Sequence, residues 1–264
     1  MRALIIYLVI SAVFIGCTPI LSVDASTQSV YHFSDTDKNI SLLDISETFG
    51  TYDGSFVLYD NNLDSWKIYD LEEATKRIPP ESTYKIYDAL LGLESGIITP
   101  EHSSMTWNGD AFPFPSWEAD QDLNSAMQNS VNWYFQAIDS QLGINRVQEF
   151  LNKIEYGNQT TSSNLDLYWS DFSLKISPLE QVTLLKKFNT NEFHLNFQNV
   201  FSVKNAIKIA STPNGNFYGK TGTGRVNGQD INGWFIGYVE TSDNSYYFAT
   251  NIQSDSNATG KKSI

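Results

Sequence analysis

Pro79-Pro80-Glu81-Ser82-Thr83-Tyr84-Lys85 opens onto the apolar run Ile86 to Leu93. The two prolines hold the approach extended, and the serine then falls at or near a helix N-terminus. Lys85 lies three residues on, one turn along the same face, so its amine can reach the Ser82 hydroxyl. A free hydroxyl is a poor nucleophile at neutral pH and needs a base. A lysine is a base only as the neutral amine, which requires burial to draw its pKa several units below about 10.4. Tyr84, Ile86 and Leu90 would supply the apolar surroundings. Alone, Ser-x-x-Lys is a weak signal, because a helix cap beside an exposed lysine has the same spacing.

Two further elements change its weight. Lys220-Thr221-Gly222-Thr223-Gly224 follows Tyr218-Gly219 in a late strand. It offers a cation and hydroxyls to a substrate carboxylate, and its glycines admit close approach of a ligand; a glycine-rich hairpin turn is the plain alternative. Ser130-Val131-Asn132 falls in a helix expected from Leu123 to Ile138, where a hydroxyl could relay a proton or simply belong to a polar helix face. The three elements in the order Ser-x-x-Lys, Ser-x-Asn, Lys-Thr-Gly are far more specific than any one of them.

Around these, Gly54 to Tyr59 and Trp66 to Tyr69 are short β-rich runs about Asp60-Asn61-Asn62, a hairpin signal. Helices are expected over Thr83 to Leu93, Leu123 to Ile138 and Arg146 to Ile154. Ser177-Pro178-Leu179-Glu180 is a capping box with proline at the first helical position, opening a helix to about Phe188. Strands return over Phe217 to Thr221, Gly233 to Glu240 and Tyr246 to Asn251. Strands, helices, then strands imply an α/β (α+β) fold: an antiparallel sheet closed by distant segments, flanked by helices and carrying a helical lobe.

The 264 residues carry 17 Lys+Arg against 30 Asp+Glu, a formal charge of -13, which disfavours nucleic acid and anionic lipid as partners. A single cysteine, Cys17, excludes an internal disulfide, and three scattered histidines give no metal-ligand spacing, so no metal is expected. Ala3 to Val23 is uncharged and reaches the length that spans a bilayer; Arg2 precedes it, and no Lys or Arg follows until Lys38. Residues 1–25 are accordingly read as a membrane anchor or signal segment with the remainder outside the cell. The alternatives are a lipoprotein modified at Cys17 and a signal cleaved near Ala25-Ser26. Residues 26–46 are read as a linker and 47–264 as the working domain.

The ordered triplet of motifs matches the penicilloyl-serine fold family of transpeptidases and serine β-lactamases. Tyr156-Gly157-Asn158, Tyr168-Trp169 and Ser173 to Gln181 resemble class D (oxacillinase-type) β-lactamases. Asn129 to Phe135, Ser82 to Tyr87 and Gly219 to Gly228 resemble the penicillin-sensor domains of the β-lactam and methicillin sensor-transducers of Gram-positive bacteria. The resemblance implies acylation of Ser82 by β-lactam antibiotics, with Lys85 as base, in this family often carrying CO2 as a carbamate packed beside a tryptophan such as Trp169. It implies Ser130 as proton relay to the lactam nitrogen and Lys220, Thr221 and Thr223 as binders of the drug carboxylate. No other cofactor is implied.

Asn132 stands where hydrolytic class D enzymes usually have an apolar residue. Its amide would engage the lysine or its carbamate and disfavour the deacylating base. Slow release, hence sensing with a membrane signalling partner, is the first expectation; a hydrolytic class D β-lactamase is the alternative. Transpeptidation of cell-wall peptide and a non-catalytic scaffold rank behind both. Relatives continue past the last strand into a long helix, whereas this sequence ends at Ile264, so an uncovered apolar sheet face is also expected.

Overall fold

The computed structural model describes residues 39–264. The anchor, lipoprotein and signal readings of residues 1–25 lie outside the described residues, as does most of the stretch read as linker. Its last part is not all linker, since Ile40–Leu42 forms the edge strand β1. A short helix α1 (Ser46–Phe49) leads to the expected hairpin, β2 (Asp53–Asp60) and β3 (Ser65–Tyr69), and then to α2 (Leu71–Thr75). A 3-10 turn over Glu81–Tyr84 runs directly into α3 (Lys85–Glu94). After a second such turn at Pro115–Trp117 come α4 (Leu123–Gln128), α5 (Asn132–Leu142) and α6 (Ile144–Ile154). The chain closes with α7 (Pro178–Asn189), α8 (Phe197–Ala206), β4 (Lys208–Thr212), β5 (Gly215–Val226), β6 (Gln229–Glu240) and β7 (Ser245–Gln253). Among the described residues no helix is long and apolar enough to cross a membrane.

The seven strands form one sheet in the order β1-β3-β2-β7-β6-β5-β4, with β1 parallel to β3 and the other pairs antiparallel. N-terminal and C-terminal strands therefore meet at its centre, Asp53 opposite Gln253 and Val57 opposite Ala249. Alternation along the strands sends Val57, Ile68, Trp234, Ile236, Tyr238 and Ala249 into a buried layer. Leu179, Val182, Leu185 and Phe188 of α7 are buried in the same cluster, which continues through Leu90, Phe135, Ile138 and Leu151 of the helical lobe. On the opposite sheet face the rings of Phe217, Phe235 and Phe248 pack on one another at centroid distances of 5.2–6.0 Å.

The expected continuous helix from Leu123 to Ile138 is two helices. The Asn129 carbonyl accepts from Trp117 Nε1 at 2.9 Å, and Ser130 takes φ +54°, which a right-handed helix cannot contain. Val131 N–H bonds back to the Ala126 carbonyl, and α5 restarts at Asn132. Lys220 to Gly224 lies in the middle of β5, and the hairpin turn falls later, at Asn227-Gly228.

α7 begins as the capping box foretells, with Glu180 N–H donating to Ser177 Oγ at 3.3 Å and Ser177 N–H donating to Glu180 Oε2 at 2.9 Å. Glu180 also receives Arg77 Nε at 3.0 Å and Nη2 at 2.5 Å, a buried fork-to-carboxylate pair. Reciprocal backbone bonds between Ile78 and Ile176 run alongside it, so the strap leading to Ser82 is pinned to the start of α7. Removing Arg77 alone leaves Glu180 buried without its counter-ion. Arg77→Ala is expected to lower unfolding stability by about 3–5 kcal/mol, while Arg77→Met with Glu180→Leu recovers most of it. Urea unfolding curves of the two variants check this.

Candidate active site

The site forms where the turn before α3, the break before α5 and the middle of β5 converge. Lys85, the first residue of α3, is only 1% exposed. Its Nζ donates to Ser82 Oγ at 3.0 Å and to Asn132 Oδ1 at 2.7 Å. The spacing seen in the sequence is thus a buried amine–hydroxyl pair and not a cap beside an exposed lysine. The amine lies 5.6 Å from the Phe135 ring centroid and 5.4 Å from that of Trp169. Burial in this aromatic shell pulls its pKa down to about 8, against the opposing attraction of the Asp88, Glu81 and Asp139 carboxyls.

Ser130 faces this pair from the helix break, its Oγ accepting from Lys220 Nζ. Lys220 is also buried and donates to the Thr221 carbonyl at 2.9 Å. Burial first, and repulsion from Lys85 second, hold its pKa well below the usual lysine value. Two serines are therefore each paired with a buried amine of lowered basicity.

A cleft of about 370 Å³ opens over them, lined by Ser82, Ser130, Asn132, Thr221, Gly222 and Thr223. Thr223 Oγ1 accepts from Gly260 N–H at 2.9 Å, which leaves its hydroxyl hydrogen free to be donated. β5 presses against the Ser82 turn because two positions lack a side chain. A Cβ at Gly222 would lie 3.1 Å from the Pro80 carbonyl oxygen, and one at Gly224 only 2.4 Å from Glu81 Oε1.

Trp169 is almost fully buried, and its carbonyl accepts from Glu81 N–H at 3.1 Å, so it supports the turn as well as covering Lys85. The structure thus brings Ser82, Lys85, Asn132 and Trp169 into one cluster and sets Ser130, Lys220, Thr221 and Thr223 on the facing wall.

Several contributors escaped the sequence reading. Glu81, at φ +53° immediately before Ser82, is buried and receives Asn232 Nδ2 at 3.2 Å. Burial pushes its carboxyl pKa up to about 8. Asn232 Nδ2 and Trp234 Nε1 both donate to the Pro79 carbonyl, at 3.0 and 2.8 Å, tying the strap to β6. Phe114 and Trp117 build an aromatic rim, and Arg225, paired with Asp230 at 2.7 Å, adds a cation at the edge. Their only sequence signals were proximity to a motif and, for the rim, an aromatic-rich loop.

The model of the penicillin binding protein transpeptidase domain matches residues 54–263, which contain every residue of this site. The chain belongs to that family. It is similar to the regulatory protein BlaR1 of Bacillus licheniformis, 45% identical over 260 residues that make up 98% of this chain and 43% of the relative. The chain thus spans less than half the length of that relative. The C-terminal domain of the Bacillus licheniformis BlaR penicillin-receptor superposes with a TM-score of 0.83 at 45% identity, covering 88% of this chain and 94% of that one. The class D β-lactamase BAT-2 follows at 0.78 and 35%, with coverages of 84% and 91%. The likeness to penicillin-sensor domains and class D β-lactamases read in the sequence holds, as does the α+β architecture.

Proposed function

We propose that this transpeptidase-family domain is a β-lactam receptor, acylated at Ser82 and slow to release the product, that stands outside the cell membrane and reports occupancy to a membrane-borne partner. The observation carrying it is the forked contact of Lys85 Nζ with Ser82 Oγ at 3.0 Å and Asn132 Oδ1 at 2.7 Å. Neutral Lys85 takes the Ser82 proton as Oγ bonds to the lactam carbonyl carbon. The oxyanion collects at the backbone N–H groups of Ser82 and Thr223. When the C–N bond breaks, Ser130 gives its proton to the lactam nitrogen and is reprotonated through Lys220. Lys220, Thr221 and Thr223 hold the drug carboxylate.

Deacylation needs Lys85 again, now to activate water. The Asn132 oxygen accepts from the Lys85 amine, a contact that favours the ammonium and so disfavours both a free base and a carbamate there. The residues around Lys85 otherwise suit such a group, since Trp169 and Phe135 would exclude water from it. A class D β-lactamase reading draws support from that shell and from the 35% identity to BAT-2.

Intact-mass spectrometry of the full chain with benzylpenicillin separates the two. A single adduct of one drug mass persisting for hours, absent in Ser82→Ala, is expected. A transient adduct with accumulating hydrolysed drug would establish the β-lactamase instead.

A further inference from the structure

Beneath the site lie two carboxyls that the chemistry above does not use. Asp88 stands one turn after Lys85 on α3, and Asp139 projects from α5; both are completely buried. Asp139 Oδ1 accepts from Tyr168 OH at 3.4 Å. Among the described residues, no N–H or hydroxyl reaches Asp88 Oδ1, Asp88 Oδ2 or Asp139 Oδ2. Asp88 and Asp139 are instead each other's titrating neighbours, and burial first of all pushes both carboxyl pKa values well up. Two neighbouring carboxyls cannot both stay ionised in a dry site, so the pair retains a proton.

The titratable groups around the pair are Lys85 and Tyr84 from the α3 side, Tyr134 from α5, and Asp166 and Tyr168 from the loop before α7. Lys85 is the one cation among them. With Lys85 as ammonium and one proton on the pair, the cluster is neutral. With Lys85 as free amine and both carboxyls protonated, it is neutral again and holds the same number of protons. A proton passing between the pair and Lys85 therefore leaves the net buried charge unchanged.

We propose that Asp88 and Asp139 are positioning residues for the acylation chemistry: a carboxyl pair sharing one proton and carrying one negative charge that sets how much of Lys85 is free amine. The inference rests on Lys85 being the base of acylation. Glu81 acts on the same amine from the β5 side, so the pair is one of two acidic brakes on it. The direction follows from charge alone: an anion near an ammonium stabilises it, and removing the anion frees the amine at lower pH.

The test uses the full chain with ε-13C-labelled lysine, Lys85 being identified by loss of its signal in Lys85→Ala. In Asp88→Asn with Asp139→Asn, the Lys85 titration midpoint is expected to fall by one pH unit or more, about tenfold more free amine at a given pH below it. Either single substitution leaves a carboxylate receiving an amide donor, and holds the midpoint. An unmoved midpoint in the folded double variant overturns the proposal. If the midpoint falls but the pH profile of acylation does not follow, the pair stands and the assignment of Lys85 as base fails. Infrared spectra of wild-type protein carrying 13C-aspartate give a reading without substitution. A protonated aspartate band at neutral pH, distinguished from Glu81 by the isotope, is expected, and its absence overturns the proposal as well.

Discussion

Lys85→Ala is expected to slow acylation by benzylpenicillin about a thousandfold while leaving the fold and Ser82 in place. The magnitude is that of losing a positioned general base. With a pKa near 8, about one Lys85 in ten is neutral at pH 7, against about one in 2,500 for an ordinary lysine. Burial therefore supplies a gain of more than a hundredfold before geometry contributes. Because the neutral amine is the reactive form, the acylation rate should rise with pH and level off above about 8. Glu81 ionises over the same window, and its growing negative charge favours the ammonium, so the rise should be shallower than that of a single group. Lys85→Arg keeps a positive charge but has no accessible neutral form. A loss equal to that of alanine would show that basicity and not charge is at work. Stopped-flow acylation rates across pH 6–9, as a convenient span around about 8, decide it; a Lys85→Arg variant acylated at the wild-type rate would remove the base from Lys85.

Asn132→Val should shorten the life of the acyl-enzyme by about 10–100-fold. The 2.7 Å bond from Lys85 Nζ to the Asn132 oxygen is a charge-assisted one, with a typical net value of about 1.5–3 kcal/mol. Losing it releases the amine toward its neutral form and opens a small apolar space beside it, flanked by Phe135 and Trp169. The variant should turn over penicillin with a rate that increases with added bicarbonate, the signature of a carbamate on Lys85. Adduct lifetime by mass spectrometry and product by absorbance give the answer. A lifetime equal to wild type would mean that release is limited elsewhere, for instance by water access, and would withdraw the role given to Asn132.

The elements legible in the sequence were those with local chemistry. Ser177 and Glu180 announce the start of α7 because each satisfies the other's backbone within four residues. Ser82 and Lys85 announce themselves by one helical turn. The break before α5 was not legible, because neither glycine nor proline marks it; Trp117, distant in sequence, draws the Asn129 carbonyl out of the helix. α8 and β4 were missed as well, and β4 is exposed along its whole length, so no alternation betrays it. Asp88 was passed over inside the apolar run Ile86 to Leu93, where a lone acid ordinarily marks a wet helix face. Its burial depends on α5 arriving from another part of the chain with Asp139.

The pairing of Asp53 with Gln253 has a consequence for how the molecule comes into being. A strand made early must wait for one made near the end of synthesis before the centre of the sheet exists, and β5, which lines the cleft, joins it only through β6 and β7. Such sequence-distant contacts make for slow, late folding. The Lys220–Ser130 contact is therefore expected only once the chain through β7 has been made. Under the proposed receptor reading, capture of a β-lactam would be confined to molecules whose sheet is complete.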